Sequence, residues 1–121
     1  MIEIMMNTQR LKMSIKGHAT AEENEKYREI CAAASAIAQS MVYCISKLGT
    51  AEDAVKSIQY RPDPGDMFVL IIPEQWAESM IRHRFMNYGD GLELLAKSHP
   101  ESITMIWDGE KIIPDKEDRR E

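Results

Sequence analysis

The chain has 121 residues, of which 44% are hydrophobic and 29% charged, and its formal net charge is −5. This size fits one domain rather than two, and the acidic balance argues against a protein whose main task is to bind nucleic acid. No apolar run approaches the roughly 20 residues of a membrane span. Because the first ten residues also lack the features of a signal peptide, we expect a cytoplasmic protein without a membrane association.

The predicted elements begin with a β-hairpin, because apolar and polar residues alternate in two short segments. The apolar positions are Ile2, Ile4 and Met6 in the first segment and Leu11, Met13 and Ile15 in the second. From about Glu29 to Leu48 the apolar residues follow the i, i+4, i+7 rhythm of a helix. We expect Gly49 to end this helix.

Two further strands are predicted at "VKSIQY" and "MFVLIIP", joined by "RPDPGD", whose prolines and glycine favour a turn and exclude regular structure. The unbroken apolar run from Met67 to Ile72 indicates a strand central in the sheet. Residues 74 to 98 predict a second helix, which Gly89 and Gly91 either break or open to a closely packed backbone. "SITMIW" predicts a last strand, and "DG" is able to turn it back into "EKII".

The order ββαββαβ predicts an α+β fold of two layers, with two main helices against a mostly antiparallel sheet. We expect a single domain at residues 1–114. Residues 115–121 form a charged tail that we expect to be disordered.

Metal and disulfide chemistry are both disfavoured by the sequence. Cys31 and Cys44 fall in the same predicted helix, about 20 Å apart at about 1.5 Å per residue, which is too far for a disulfide. His18, His83 and His99 are scattered, and the chain has no CxxC motif. The sequence therefore predicts two thiols, no metal site and no cofactor.

His18 and Cys31 are the candidate catalytic pair. Cys31 falls in the first turn of the predicted helix, where unpaired N–H groups and the helix dipole favour a thiolate. The loop from His18 is long enough to bring its imidazole to that helix start, as base toward the thiol and acid toward a leaving amine. Ser35 lies one turn after Cys31 on the same helix face. The alternative is a small buried cysteine in an alanine-rich helix.

The strings "GHA", "ICAAASAIAQS" and "GLELLAKSHPESITM" resemble the Prp family of bacterial ribosomal-processing cysteine proteases, over nearly the whole chain. The resemblance implies an endopeptidase with a Cys-His dyad, usually a homodimer, that removes the N-terminal extension of a large-subunit ribosomal protein. Similar enzymes process phage capsid or scaffold proteins. By position, the resemblance makes Cys31 the nucleophile and His18 the general base. It makes Gly17 the residue that lets the chain turn and Ser35 a supporting group.

The sequence also departs from the family pattern. Members commonly have an aspartate three positions before the cysteine, where this chain has Arg28, and the nearest acidic residue is Glu29. Glu29 is therefore the candidate replacement. The loop carries Glu22, Glu23 and Glu25, which form either a solvated face or an attractor of a basic substrate segment. These departures leave two alternatives open, a phage maturation protease and a non-catalytic interaction protein on the same fold.

Several other residues receive structural interpretations. We expect Cys44 to pack in the core, and His83 and His99 to lie at the surface or in satisfied core positions. The nine methionines of the chain are expected to fill gaps in a small core rather than to line a peptide groove. Trp76 and Trp107 are candidate interface anchors, and exposure of either in a monomer would favour a dimer.

Overall fold

Six strands and two long helices make up the part of the chain that the structure, a computed structural model, describes, namely residues 1–17, 25–63 and 65–113. The strands are β1 (Ile2–Asn7), β2 (Lys12–Lys16), β3 (Val55–Asp63), β4 (Asp66–Pro73), β5 (Ile103–Trp107) and β6 (Glu110–Lys111). The helices are α1 (Glu25–Glu52) and α2 (Glu78–Ser98), and a 3₁₀ turn at Gln75–Ala77 precedes α2.

The strands form one sheet in the order β3-β4-β2-β1-β5-β6. Neighbouring strands are antiparallel except β1 and β5, which pair in parallel with Ile4 opposite Met105. The α+β class, the two helices and the mostly antiparallel sheet are therefore confirmed. The chain turns from β5 into β6 at Asp108 and Gly109, which both have positive φ angles of 51° and 84°, as a two-residue hairpin turn requires. Strand β6 comes after the seven elements of the predicted order and is the eighth.

The core lies between the helices and one face of the sheet. The predicted hairpin is confirmed, since the apolar residues of β1 and β2 are buried and the residues between them point to the other face. Inward-facing side chains of α1 and α2 cover that apolar face, with Phe85 of α2 fully buried. From α1 they include Ile30, Ala34, Ala38, Met41 and Ile45.

Helix α1 is longer at both ends than the sequence predicts. It begins at Glu25 rather than near Glu29, and it runs through Gly49 to Glu52. A Cβ atom added at Gly49 would lie 3.2 Å from the Cβ of Val55, so the glycine lets the helix pass close to β3. The helix ends instead before Asp53, which has a φ of 54°. The prediction that Gly49 ends the helix is wrong, because the glycine serves packing.

Three further expectations about the strands and α2 need correction. Pro62 lies within β3, although the sequence was expected to exclude regular structure there. Strand β3 is an edge strand, where a missing N–H is tolerated. Strand β4 is internal but not central, being second from that edge. Gly89 neither breaks α2 nor admits another backbone, because the side chains of Met6 and Trp107 occupy the space beside it.

By length and composition alone, α1 is apolar enough to cross a membrane, with a mean hydropathy of 1.3 over its most apolar window. The expectation that no segment has this character is therefore wrong. Core helices of folded domains satisfy the same criterion. In α1, 28% of that window is buried, which corresponds to the stripe that faces the sheet.

Candidate active site

A cavity of about 290 Å³ lies between the first half of α1 and the end of the sheet where β2 stops. Helix α1 contributes Cys31, Ala32, Ala34, Ser35 and Gln39 to its wall. The strand ends contribute Ile2, Ile15, Gly17 and Met67. The end of β3 contributes Pro62 and Asp63, and the turn before β4 contributes Gly65. Much of this lining is apolar or small, which leaves room for a peptide beside the thiol.

Helical spacing explains why Cys31, Ser35 and Gln39 reach the same cavity. They are four residues apart, so they follow one another along a single face of α1. Cys31 and Ser35 are half-buried, whereas Gln39 is exposed. The helix thus places a thiol, a hydroxyl and an amide in one line along the cavity wall.

Gly17 joins the end of β2 to the turn between β3 and β4. Its backbone N–H donates a hydrogen bond of 3.0 Å to the carbonyl oxygen of Gly65. Its φ of +97° favours glycine, and a Cβ atom at this position would collide with the carbonyl oxygen of Met1. The structure therefore gives a steric reason for glycine at the position directly before His18.

The structure brings Gly17, Cys31 and Ser35 to one cavity, which is what a dyad between Cys31 and residue 18 requires. His18 itself, with Glu22 and Glu23, lies outside the described residues, as do residues 115–121 of the expected tail. The dyad therefore stays a prediction.

The position of Cys31 within α1 differs from the expected one. The helix begins at Glu25, so Cys31 lies about 9 Å along the axis at about 1.5 Å per residue. In a regular helix its N–H is bonded to the carbonyl four residues earlier, and the dipole effect is confined to the first turn. The prediction that Cys31 lies in the first turn of the helix, where the dipole favours a thiolate, is therefore wrong.

Glu29 and Arg28 lie on the exposed side of α1. Neither is among the described residues that line the cavity. The supporting role of Glu29 stays a prediction, and the structure places its carboxylate away from the cavity wall.

The sequence profile of the family described as cysteine protease Prp matches residues 1–104. This chain belongs to the Prp family. The match includes both strands of the first hairpin, all of α1 and α2, and every residue of the cavity wall. A search of curated proteins found no match to the chain.

Solved structures share this fold, and two of them are of a Prp protease. SMU.848 from Streptococcus mutans aligns over 88% of this chain and 90% of its own, with a TM-score of 0.61 and 21% identity. The essential ribosomal processing protease Prp from S. aureus, solved with a substrate peptide, aligns over 88% and 99%, with a TM-score of 0.63 and 18% identity. Its complex with a covalently linked product peptide has the same coverage, a TM-score of 0.61 and 16% identity.

The end of β3 and the turn that follows it are the part of the site that the sequence did not indicate. Asp63 and Gly65 reach the cavity from about thirty positions after Cys31. Asp63 carries the only charge among the described residues that line the cavity. The proline- and glycine-rich turn was the available signal, but a turn sequence does not show which part of the fold it approaches.

Cys44 does not pack in the core, so that expectation is wrong. It is half-buried and lines a surface groove between α1 and α2. A hydrogen bond with the Cys44 side chain raises the pKa of Tyr88 above its usual value. Cys44 precedes Ile45, which faces the sheet, and therefore lies at the flank of the buried stripe.

The remaining candidates lie away from the cavity. His83 is exposed, and His99 at the end of α2 has its Nδ1 3.7 Å from a carboxylate oxygen of Glu101. Trp76 is 64% exposed, whereas the ring N–H of Trp107 donates a hydrogen bond to Thr8. Five methionines are buried in the core, as gap-filling predicts: Met6, Met13, Met41, Met67 and Met105. In the described ranges, no group of three or more His, Cys, Asp or Glu side chains is arranged to hold a metal ion.

Proposed function

We propose that this chain is a cysteine endopeptidase that removes the N-terminal extension of a large-subunit ribosomal protein. The observation that carries the proposal is the cavity, where Cys31 of α1 faces the end of β2 at Gly17, directly before His18. Membership of a cysteine protease family supports the reaction class. The relative from S. aureus, a ribosomal processing protease solved with a substrate peptide, supports the substrate.

In the proposed reaction the Cys31 thiolate attacks the scissile carbonyl carbon, and a C–S bond forms. His18 accepts the thiol proton and delivers it to the departing amine as the C–N bond breaks. Water then hydrolyses the thioester and releases the second product. Because α1 starts well before Cys31, its terminal N–H groups are not available to the oxyanion. The Ser35 hydroxyl, one turn away, is our candidate donor to the substrate or to His18.

The cavity is suited to an extended peptide. Ile2, Ile15 and Met67 give an apolar floor for a side chain beside the scissile bond. Ala32 adds little bulk on the helix side. We further propose that the enzyme acts in the cytoplasm as a homodimer; the 64% exposure of Trp76 supports an interface at that residue.

The test is cleavage of a synthetic peptide that spans the junction between the extension and the mature ribosomal protein. Mass spectrometry of the products should show one cut, lost with Cys31→Ser by at least about 10³-fold. His18→Ala should be severely impaired, while Cys44→Ser serves as the matched thiol control and should keep its activity. Equal activity of the Cys31→Ser and wild-type proteins would contradict the proposal, as would cleavage only of phage capsid or scaffold peptides.

A second candidate, a non-catalytic interaction protein, is favoured by one observation. Arg28 occupies the position where relatives have an aspartate, and its side chain is exposed on α1. On this alternative the wild type binds the junction peptide without cutting it. Binding without product after prolonged incubation would select this alternative.

A further inference from the structure

A row of side chains crosses the open face of the sheet, opposite the helices. Strand pairing places its members directly next to one another in the order Arg61, Phe68, Ser14, Met5, Ile106 and Lys111. Their neighbours along the strands, such as Met13, Val69 and Met105, are buried under the helices. Since side chains alternate between faces, the row points away from the core.

The middle of this row forms a groove of about 400 Å³. Ser14 has the smallest side chain in the row and lies between the larger Phe68 and Met5, so it forms the low point of the groove. Met5 is 52% exposed, and Phe68 and Ile106 are half-buried. The groove therefore has an apolar floor that the described part of the chain leaves open to solvent.

Cations surround this apolar floor. The Nζ of Lys12 and the guanidinium of Arg61 lie 5.7 Å and 5.6 Å from the centre of the Phe68 ring, a cation–π distance. Lys16 also lines the groove, and Asp108 carries the only carboxylate among its described lining residues. These cations form a positive patch, although the chain as a whole has a net charge of −5.

The ion pair of Arg61 does not neutralise this patch. Arg61 lies 3.2 Å from Asp66, but the two side chains are 49% and 52% exposed. Exposed pairs of this kind are weak because solvent screens them, so the guanidinium stays available to a better partner.

We propose that this groove binds a short acidic peptide segment that carries an apolar side chain. The apolar side chain enters above Ser14, and flanking carboxylates pair with Lys12 and Arg61. The site is on the opposite face of the sheet from the Cys31 cavity, so it does not depend on the proposed protease activity.

Two observations favour an acidic peptide over a nucleic acid. The ring of Phe68 already contacts two cations, which occupy positions that a stacked base would need. Lys16 lies between Glu3 and Asp66 on the adjacent strands, so a continuous phosphate track would meet carboxylates one row from the groove. A short segment with two or three carboxylates avoids that repulsion.

The experiment is a fluorescence anisotropy titration of a labelled peptide with one phenylalanine between two pairs of glutamates. We expect saturable binding that weakens with added salt. The double variant Lys12→Gln, Arg61→Gln should bind at least about tenfold more weakly, since it removes both cations that pair with the peptide carboxylates. Lys47→Gln, an exposed cation on α1, is the matched control and should bind as the wild type does.

Several outcomes would overturn the proposal. They are no saturable binding below about 1 mM peptide, equal affinity of the double variant and the wild type, and tighter binding of a uridine decamer than of the peptide. A second copy of the chain on this face would also contradict it, and would appear as a dimer in light scattering that Phe68→Glu dissociates. Circular dichroism of each variant confirms that the exposed substitutions leave the fold intact.

Discussion

The two faces of the sheet are made by the same strands but differ in burial. On the helix side, Met13 and Val69 are fully buried, whereas on the open side Met5 is 52% exposed. Strand alternation alone separates them, because adjacent residues point to opposite faces. The stability of this domain is therefore concentrated on the helix side of the sheet. The open face and the end of the sheet are then available for binding and chemistry.

The two phenylalanines of the chain test this contrast with the largest expected effect. Phe85 is fully buried on the helix side, and Phe68 is half-buried on the open side. We expect Phe85→Ala to lower the free energy of unfolding by about 3–5 kcal/mol. Phe68→Ala should cost less than about 1.5 kcal/mol. Urea denaturation measures both, and similar losses would break the comparison between the faces.

Two glycines with positive φ allow the end of the sheet near Cys31 to be compared with the turn between β5 and β6. A Cβ at Gly17 would collide with the Met1 carbonyl oxygen, whereas a Cβ at Gly109 would meet no heavy atom within 4 Å. Gly109→Ala should cost only the backbone strain, about 1–2 kcal/mol. We expect Gly17→Ala to cost more and to weaken peptide cleavage, because the cavity wall must move. Equal thermal unfolding midpoints of the two variants would show that the cavity wall accommodates a Cβ atom at position 17 without a further loss of stability.

At the other end of the sheet, a partly buried hydrogen bond links β5 to the turn after β1. The ring N–H of Trp107 donates to the Thr8 hydroxyl at 2.7 Å, and Thr8 is 8% exposed. Thr8→Val leaves that donor unpaired and should cost about 1–3 kcal/mol. Tryptophan fluorescence during urea unfolding reports the loss. Thr50→Val on the exposed side of α1 is the control. An equal loss of stability in that variant would show that the loss comes from the valine and not from the missing hydrogen bond.

The smallest expected effect is on the titration of Tyr88, in the groove between α1 and α2. The hydrogen bond with Cys44 raises the pKa of Tyr88 above the ordinary value of 10.0, so the fold favours the protonated phenol. This contribution is complete below pH 10.0 and is lost as the pH rises through the folded-state pKa. Cys44→Ala should move the Tyr88 titration, followed by tyrosinate absorbance, toward the ordinary value. An unchanged titration would show that Cys44 does not hold the phenol.

Local patterns predicted the elements whose residues repeat along the chain. The hairpin followed from alternation, and the stripe of α1 that ends in the cavity followed from helical spacing. The position of Cys31 within α1 was not predicted. The buried Tyr27 extends the apolar stripe before Ile30, but the polar residues around it do not mark where the helix begins. Gly49 and Pro62 were misinterpreted for a related reason. Their effects depend on Val55 across the interface and on the edge position of β3, which only the folded chain defines.

The candidate site was predictable to the same extent. Cys31 and Ser35 share a helix face by spacing, and Gly17 marks the turn beside residue 18. The contributions of Asp63 and Gly65 depend on long-range pairing of β4 with β2, which places the turn beside Gly17. Cys44 was placed in the core because the sequence pattern does not separate the centre of a helical stripe from its flank.

The most direct test of the account is the rate of iodoacetamide labelling of Cys31 as a function of pH, measured in a Cys44→Ser background. A dyad of Cys31 and His18 predicts a rate that persists well below about pH 8.5, the ordinary pKa of a thiol, and that is lost in His18→Ala. A rate that follows an ordinary thiol and is unchanged by His18→Ala would contradict the claim that the cavity holds an activated cysteine.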